Sequence, residues 1–181
     1  MQDAENLIWL DMEMSGLDPE TCVILEIATL VTDKNLKLLA EGPTYTIYHP
    51  KSVLDQMDQW NQVHHQQSGL VEKVLASQTT LTQAEQGILE FLKNYCFPQT
   101  SPLCGNTIYQ DRRFLISYMP SLERFFHYRL IDVSTIKELV KRWYGASFQP
   151  PPKKQTHQAL LDIQESIEEL KFYRNMVFKT P

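Results

Sequence analysis

The run Leu7-Ile8-Trp9-Leu10 passes without a break into Asp11-Met12-Glu13-Met14, and this join constrains the fold more than any other stretch. Four consecutive apolar residues leave no side for solvent, the pattern of a strand covered on both faces. Gly16-Leu17-Asp18-Pro19 punctuates its end. Residues two apart on a strand share a side, so Asp11 and Glu13 are neighbours at the end of a central strand, with Met12 and Met14 turned the other way. Partly desolvated, two such carboxylates raise each other's pKa and are costly to keep ionised without a cation. The plain alternative is a strand running out into water, where both are hydrated.

Around that strand the pattern predicts an α/β chain. Ile24 to Val31 and Leu38 to Tyr48 are rich in β-branched and aromatic residues and flank a turn at Asp33-Lys34-Asn35, so they form an antiparallel meander with the first strand. From Ser68 the apolar period moves to helical spacing: Leu70, Val71, Val74 and Leu75, then Ile88, Leu89 and Leu92 behind a capping box at Thr82-Gln83-Ala84-Glu85. Pro102 to Asn106 reads as a short strand, Asp111 to Tyr118 as a helix stopped by Pro120, and Leu130 to Val133 as another strand. Ser134 is a good N-cap for a helix ending near Trp143. Gly145 and Pro150-Pro151-Pro152 exclude a regular helix over Tyr144 to Gln155, and a last helix runs from about Gln158 to Asn175. A meander followed by β–α units implies a mixed sheet with helices on both faces.

With 181 residues and 43% hydrophobic content, one domain over 1–181 is expected. No apolar run approaches a membrane span and the first residues are acidic, so a soluble, cytoplasmic protein is expected, with no membrane contact and no obligate protein partner. Cys22, Cys96 and Cys104 are odd in number and lack a CxxC spacing, which favours reduced thiols over a disulfide framework or a zinc site. A net charge of −5 argues against an extended duplex binder. Local basic residues, Arg112-Arg113 and Arg129 among them, suit a short anionic substrate held at few phosphates, although two adjacent arginines are most often a solvated face.

Three further residues carry chemistry. Asp111 precedes Phe114, Leu115 and Tyr118 at helical spacing, which aims its carboxylate toward the apolar stripe; the alternative is a helix-capping Asp. Asp162 lies about 95° from the centre of the stripe Ala159, Ile163, Ile167 and Leu170, at the border of the core. His157 does not share a face with Asp162 by periodicity and belongs to the preceding loop, where a surface histidine is the ordinary reading. Jointly, Asp11, Glu13, Asp111, Asp162 and His157 suffice for a two-metal phosphodiesterase site.

In order and type, these five residues resemble the DEDDh branch of the proofreading-type 3′–5′ exonucleases, and His157, Ala159 and Asp162 match its HxAxxD spacing. Within that branch the chain resembles the oligoribonuclease family along nearly its whole length: LIWLDMEMSGL from Leu7 to Leu17, EIATLVTD from Glu26 to Asp33, Trp60-Asn61, Ser68-Gly69-Leu70, Gly105-Asn106, QDRRF from Gln110 to Phe114, His127-Tyr128-Arg129, and DVSTIKEL from Asp132 to Leu139. Many members of that family have Asp where Leu161 stands and Ser where Thr107 stands. The resemblance implies an RNase H-like fold, a homodimer, and hydrolysis of very short single-stranded RNA, dinucleotides above all, to 5′-mononucleotides. It also implies two Mg²⁺ or Mn²⁺ ions held by Asp11, Glu13, Asp111 and Asp162, with His157 as general base. By the same resemblance Leu17 and Trp60 pack on bases, His65, Thr107 and Arg129 hold a terminal phosphate, and Tyr128 reaches a neighbouring subunit's site. The alternatives for these last residues are plain core for Leu17 and Trp60, a buried phenol for Tyr128 and a surface charge for Arg129. A related exonuclease acting on longer RNA or DNA ends and a non-catalytic binding module are the competing functions.

Overall fold

The computed structural model describes residues 2–145, 148, 150 and 158–178. In chain order the elements are β1 (Leu7–Met14), β2 (Ile24–Thr32), β3 (Leu38–Thr46), α1 (Lys51–Leu54), α2 (Gln59–Gln67), α3 (Leu70–Ala76), α4 (Leu81–Leu92), β4 (Pro102–Gly105), α5 (Ile108–Tyr118), α6 (Pro120–Glu123), β5 (His127–Asp132), α7 (Val133–Tyr144) and α8 (Ala159–Met176). The sheet runs β3-β2-β1-β4-β5. β1, β2 and β3 pair antiparallel, as the meander predicts, while β4 lies parallel to both β1 and β5.

Alternation along β1 divides the core. Ile8, Leu10 and Met12 join Ile27 and Val31 under Ile88 and Leu92 of α4 and Phe114 and Leu115 of α5. Trp9 faces the other way, with Ala28, Leu30, Val140 of α7 and Ala159, Ile163 and Ile167 of α8. Helices therefore cover both faces, and burying a side chain such as Ile88 contributes about 1.5–3 kcal/mol. The Trp9 indole Nε1 donates to Thr32 Oγ1 at 3.0 Å, so its buried N–H is satisfied within the sheet. Asp11 and Glu13 continue the Trp9 side of β1 and so face α8.

Local signals account for several boundaries and miss others. Asp33 accepts from the backbone of Asn35 and Lys37, closing the expected turn. The capping box of α4 is Thr80 with Gln83, two residues before the expected one; Glu85 instead accepts from the backbone of Ser121 and Leu122 at the start of α6. α5 begins at Ile108, three residues before the expected start, behind Thr107 in the left-handed conformation (φ 53°). Asp132 caps α7 in place of Ser134, accepting from the Ser134 N–H at 2.9 Å. Cys96 and Cys104 are buried and all three cysteines are free; burial pushes the Cys96 and Cys104 thiols up, away from thiolate reactivity. No helix among the described residues is long and apolar enough to cross a membrane.

Candidate active site

β1 runs past the end of β4, and the site forms at that step. A Cβ on Gly105 would lie 2.9 Å from the Leu10 carbonyl oxygen, so glycine lets β4 end tight against β1. The Met12 N–H, between Asp11 and Glu13, is accepted at 3.0 Å by Asp111 Oδ1 from α5. Asp111 is buried and turned inward, as the helical spacing predicts, and burial pushes its carboxyl well above the ordinary range. Carboxylate oxygens of Asp11, Glu13 and Asp162 all lie within 4.8 Å of one another. Glu13 is raised from its ordinary 4.5 to about 7, first by burial, then by Asp162 and by Glu26. Glu26 stands opposite Glu13 across the β1–β2 ladder and accepts from Thr46 Oγ1 at 2.9 Å.

This arrangement strains itself electrostatically without a cation. Hard oxygen donors at the border of the core are the donor set that suits Mg²⁺ or Mn²⁺, and a divalent cation would offset both the burial and the repulsion that raise Glu13. Asp11, Glu13 and Asp162 form the group within reach of one ion, and Asp111 adjoins it through the Met12 backbone. His157, Pro151 and Pro152 lie outside the described residues.

His65 supports the floor from beneath. It is 2% exposed, and since a carbonyl only accepts, its Nε2 donates to Met14 O at 2.9 Å; Nδ1 then faces Glu13 Oε2 at 3.9 Å. The expectation of a phosphate contact thus meets a histidine buried beside a carboxylate. By contrast Leu17, Trp60 and Tyr128 are 73%, 57% and 69% exposed, which excludes the core reading of each. Trp60 stacks on His64 with ring centroids 3.8 Å apart, and the Arg129 guanidinium lies 5.3 Å from the Tyr128 ring centroid, in cation–π range.

Thr107 is held rather than loose. Its N–H meets Asp132 Oδ1 at 3.0 Å and Ser134 Oγ at 2.9 Å, and its hydroxyl is 3.0 Å from the same Ser134 Oγ. Ser134 Oγ in turn donates to Asn106 Oδ1, Asn106 Nδ2 to Ser166 Oγ, and Ser166 Oγ to the Asp162 carbonyl. A chain of hydrogen bonds therefore links Thr107 to the backbone of a floor carboxylate. Sequence reading missed Asn106 and Ser166 as supports; Ser166, four residues after Asp162 on α8, was the available signal.

Arg112 and Arg113 do not stand free for phosphates. Arg112 pairs with Glu123 at 2.7 Å and donates to the Tyr128 carbonyl at 2.6 Å, while Arg113 donates to Gln110 Oε1 at 2.8 Å and to the Leu17 carbonyl at 3.3 Å. Each is committed to holding a neighbouring segment.

A two-faced mixed sheet with acidic residues converging beside its central strand defines an exonuclease-type α/β protein, and the exonuclease family RNase_T matches residues 8–170. The chain is 58% identical over 177 residues to the oligoribonuclease of Shewanella amazonensis, covering 98% of each chain. It is 56% identical over 173 residues to that of Bordetella pertussis, covering 96% of each, and 54% identical over 181 residues to that of Dichelobacter nodosus, covering 100% of this chain and 99% of that one. The chain belongs to the oligoribonuclease family of exonucleases. Among solved structures it is similar to exonuclease I of Methylocaldum szegediense, with a TM-score of 0.70 at 16% identity, covering 95% of this chain and 41% of that one. An E. coli exonuclease I–ssDNA complex gives 0.67 at 12% identity, covering 96% and 40%. This chain spans about two-fifths of those longer proteins, and the likeness establishes the shared fold.

Proposed function

We propose that the chain, as one exonuclease domain over 1–181, hydrolyses very short RNA oligomers from the 3′ end to 5′-mononucleotides, with dinucleotides as its main substrate. The observation that carries this reading is the convergence of Asp11, Glu13 and Asp162 within 4.8 Å, in a chain 54–58% identical to oligoribonucleases along its length.

Asp11, Glu13, Asp111 and Asp162 are the residues to hold two divalent cations, Mg²⁺ or Mn²⁺. When bound, such ions activate water and stabilise a departing 3′-oxygen. The chain's own groups do the rest. His157 accepts the proton of the attacking water, a role suited to an imidazole with an ordinary pKa near 6.5. Leu17 and Trp60 pack on the two bases. Thr107, Arg129 and, from the floor beside Glu13, His65 hold the terminal phosphate. The exposed Tyr128 completes the site of a second copy in a homodimer, and the cell compartment is the cytoplasm.

A 5′-labelled RNA dinucleotide incubated with wild type in Mg²⁺, with wild type in chelator, and with Asp11→Ala tests the reading. Release of labelled 5′-mononucleotide in the first reaction alone is expected. Equal hydrolysis in chelator would rule out the metal assignment, and no hydrolysis with either Mg²⁺ or Mn²⁺ would favour a non-catalytic binding module.

A further inference from the structure

We infer that Gln110 and Arg113 of α5 are positioning residues: they hold Leu17 as a fixed projection beside the carboxylate floor, and this clamp sets the affinity for a dinucleotide. The inference rests on the proposed role of Leu17 against a base. Leu17 is a large apolar side chain 73% exposed, four residues after Glu13 in the loop from β1 to β2. Left to itself, a loop leucine gains by folding back onto apolar surface. Here one helix fixes the loop backbone at successive carbonyls.

Gln110 Nε2 and Arg113 Nη1 both donate to the Leu17 carbonyl, the second at 3.3 Å. Arg113 Nη1 also donates to Gln110 Oε1 at 2.8 Å, which fixes that amide with its NH₂ toward Leu17. Five residues after Arg113 on the same helix, the Tyr118 hydroxyl is 3.0 Å from the Pro19 carbonyl and 2.7 Å from that of Cys22. Asp111, between Gln110 and Arg113 in sequence, reaches the other way to the Met12 N–H. Gln110 and Arg113, three apart, share a helix face, while Asp111 is turned aside from it. A single rigid helix therefore sets the floor carboxylate and the loop projection together, so the spacing between metal site and base contact follows helix geometry instead of loop freedom. Such preorganisation removes ordering cost from binding, and a mispositioned Leu17 weakens binding more than it slows chemistry.

The test is steady-state hydrolysis of an RNA dinucleotide by wild type, Leu17→Ala, Gln110→Met and Arg113→Ala, and by each clamp variant combined with Leu17→Ala. Gln110→Met and Arg113→Ala are each expected to raise KM about threefold to tenfold, the range of a lost hydrogen bond, with kcat changed by less than about twofold. Mn²⁺ affinity, titrated on the protein alone, is expected to stay at the wild-type value. In the Leu17→Ala background the clamp variants should add nothing further, because they act through that side chain. A KM effect of equal size with and without Leu17, or a loss of Mn²⁺ affinity in the clamp variants, overturns the inference. If Leu17→Ala raises KM while both clamp variants keep the wild-type value, the clamp alone is wrong. If Leu17→Ala leaves KM unaltered, the base-contact reading falls and the clamp with it.

Discussion

The floor and the rim of the site are built on opposite principles. Asp11, Glu13, Asp111 and Asp162 project from β1, α5 and α8, elements that also carry the core. Leu17, Trp60, Tyr128 and Arg129 are exposed, on a loop, the polar helix α2 and the first half of β5. The floor brings like charges together at an electrostatic cost that a cation would offset; the rim exposes apolar surface that, under the proposed function, a substrate would cover. A substitution in the floor should therefore abolish chemistry with little loss of fold, whereas one in the rim should weaken binding.

The largest effect is expected at the floor. Asp162→Asn should lower kcat about a thousandfold or more, while the thermal midpoint of the metal-free protein holds or rises, because one repelling charge is gone. Near-normal turnover of this variant would break the distinction. At the rim, Trp60→Ala should raise KM for a dinucleotide roughly tenfold, within the range of a lost base–aromatic stack. A fall in kcat of that size with KM unmoved would instead place Trp60 with the chemistry.

Proton linkage separates the regions more gently. Glu13 holds its proton up to about 7 in the fold against an ordinary 4.5, so between those values the native state binds more protons than the unfolded chain. Stability of the metal-free protein must then fall as pH rises through that window. A cation bound to ionised Glu13 expels the proton, so its stabilising effect must grow over the same window. Thermal midpoints at about pH 5.5 and about pH 8, with and without Mn²⁺, should show the larger metal-induced rise at the higher pH; an equal rise at both would refute the raised Glu13. The smallest change is expected in the chain of hydrogen bonds from Thr107 to the Asp162 backbone. Asn106→Ala removes the link between Ser134 and Ser166, and should cost about 0.5–1.5 kcal/mol in urea unfolding, while Asn106→Ala without any shift in the urea midpoint would show the link to be slack.

The same contrast governs what the sequence revealed. Period-2 alternation in Leu7 to Met14 placed Asp11 and Glu13 together on one side, and the stripe of α8 placed Asp162 at the core border, because burial on regular elements leaves a periodic trace. α2 leaves none: its buried side chains include Asn61 and His65, and polar residues do not mark a stripe. The caps moved for a related reason. Ser134 and Asp132 both have N-cap chemistry and both meet Thr107, and it is Asp132, the residue just before Val133, that takes the cap. Charge alone left Arg112 and Arg113 open between phosphate contacts and a solvated face, because their carbonyl and carboxylate partners lie up to 96 positions away in sequence.

The most direct test of the account compares kcat/KM for an RNA dinucleotide and a twenty-nucleotide RNA under the same Mg²⁺ conditions. A site with a fixed floor and a short rim predicts the higher value for the dinucleotide, with the longer strand degraded slowly. Rapid trimming of the longer strand that leaves dinucleotides unhydrolysed would contradict it and assign the chain to exonucleases of long 3′ ends.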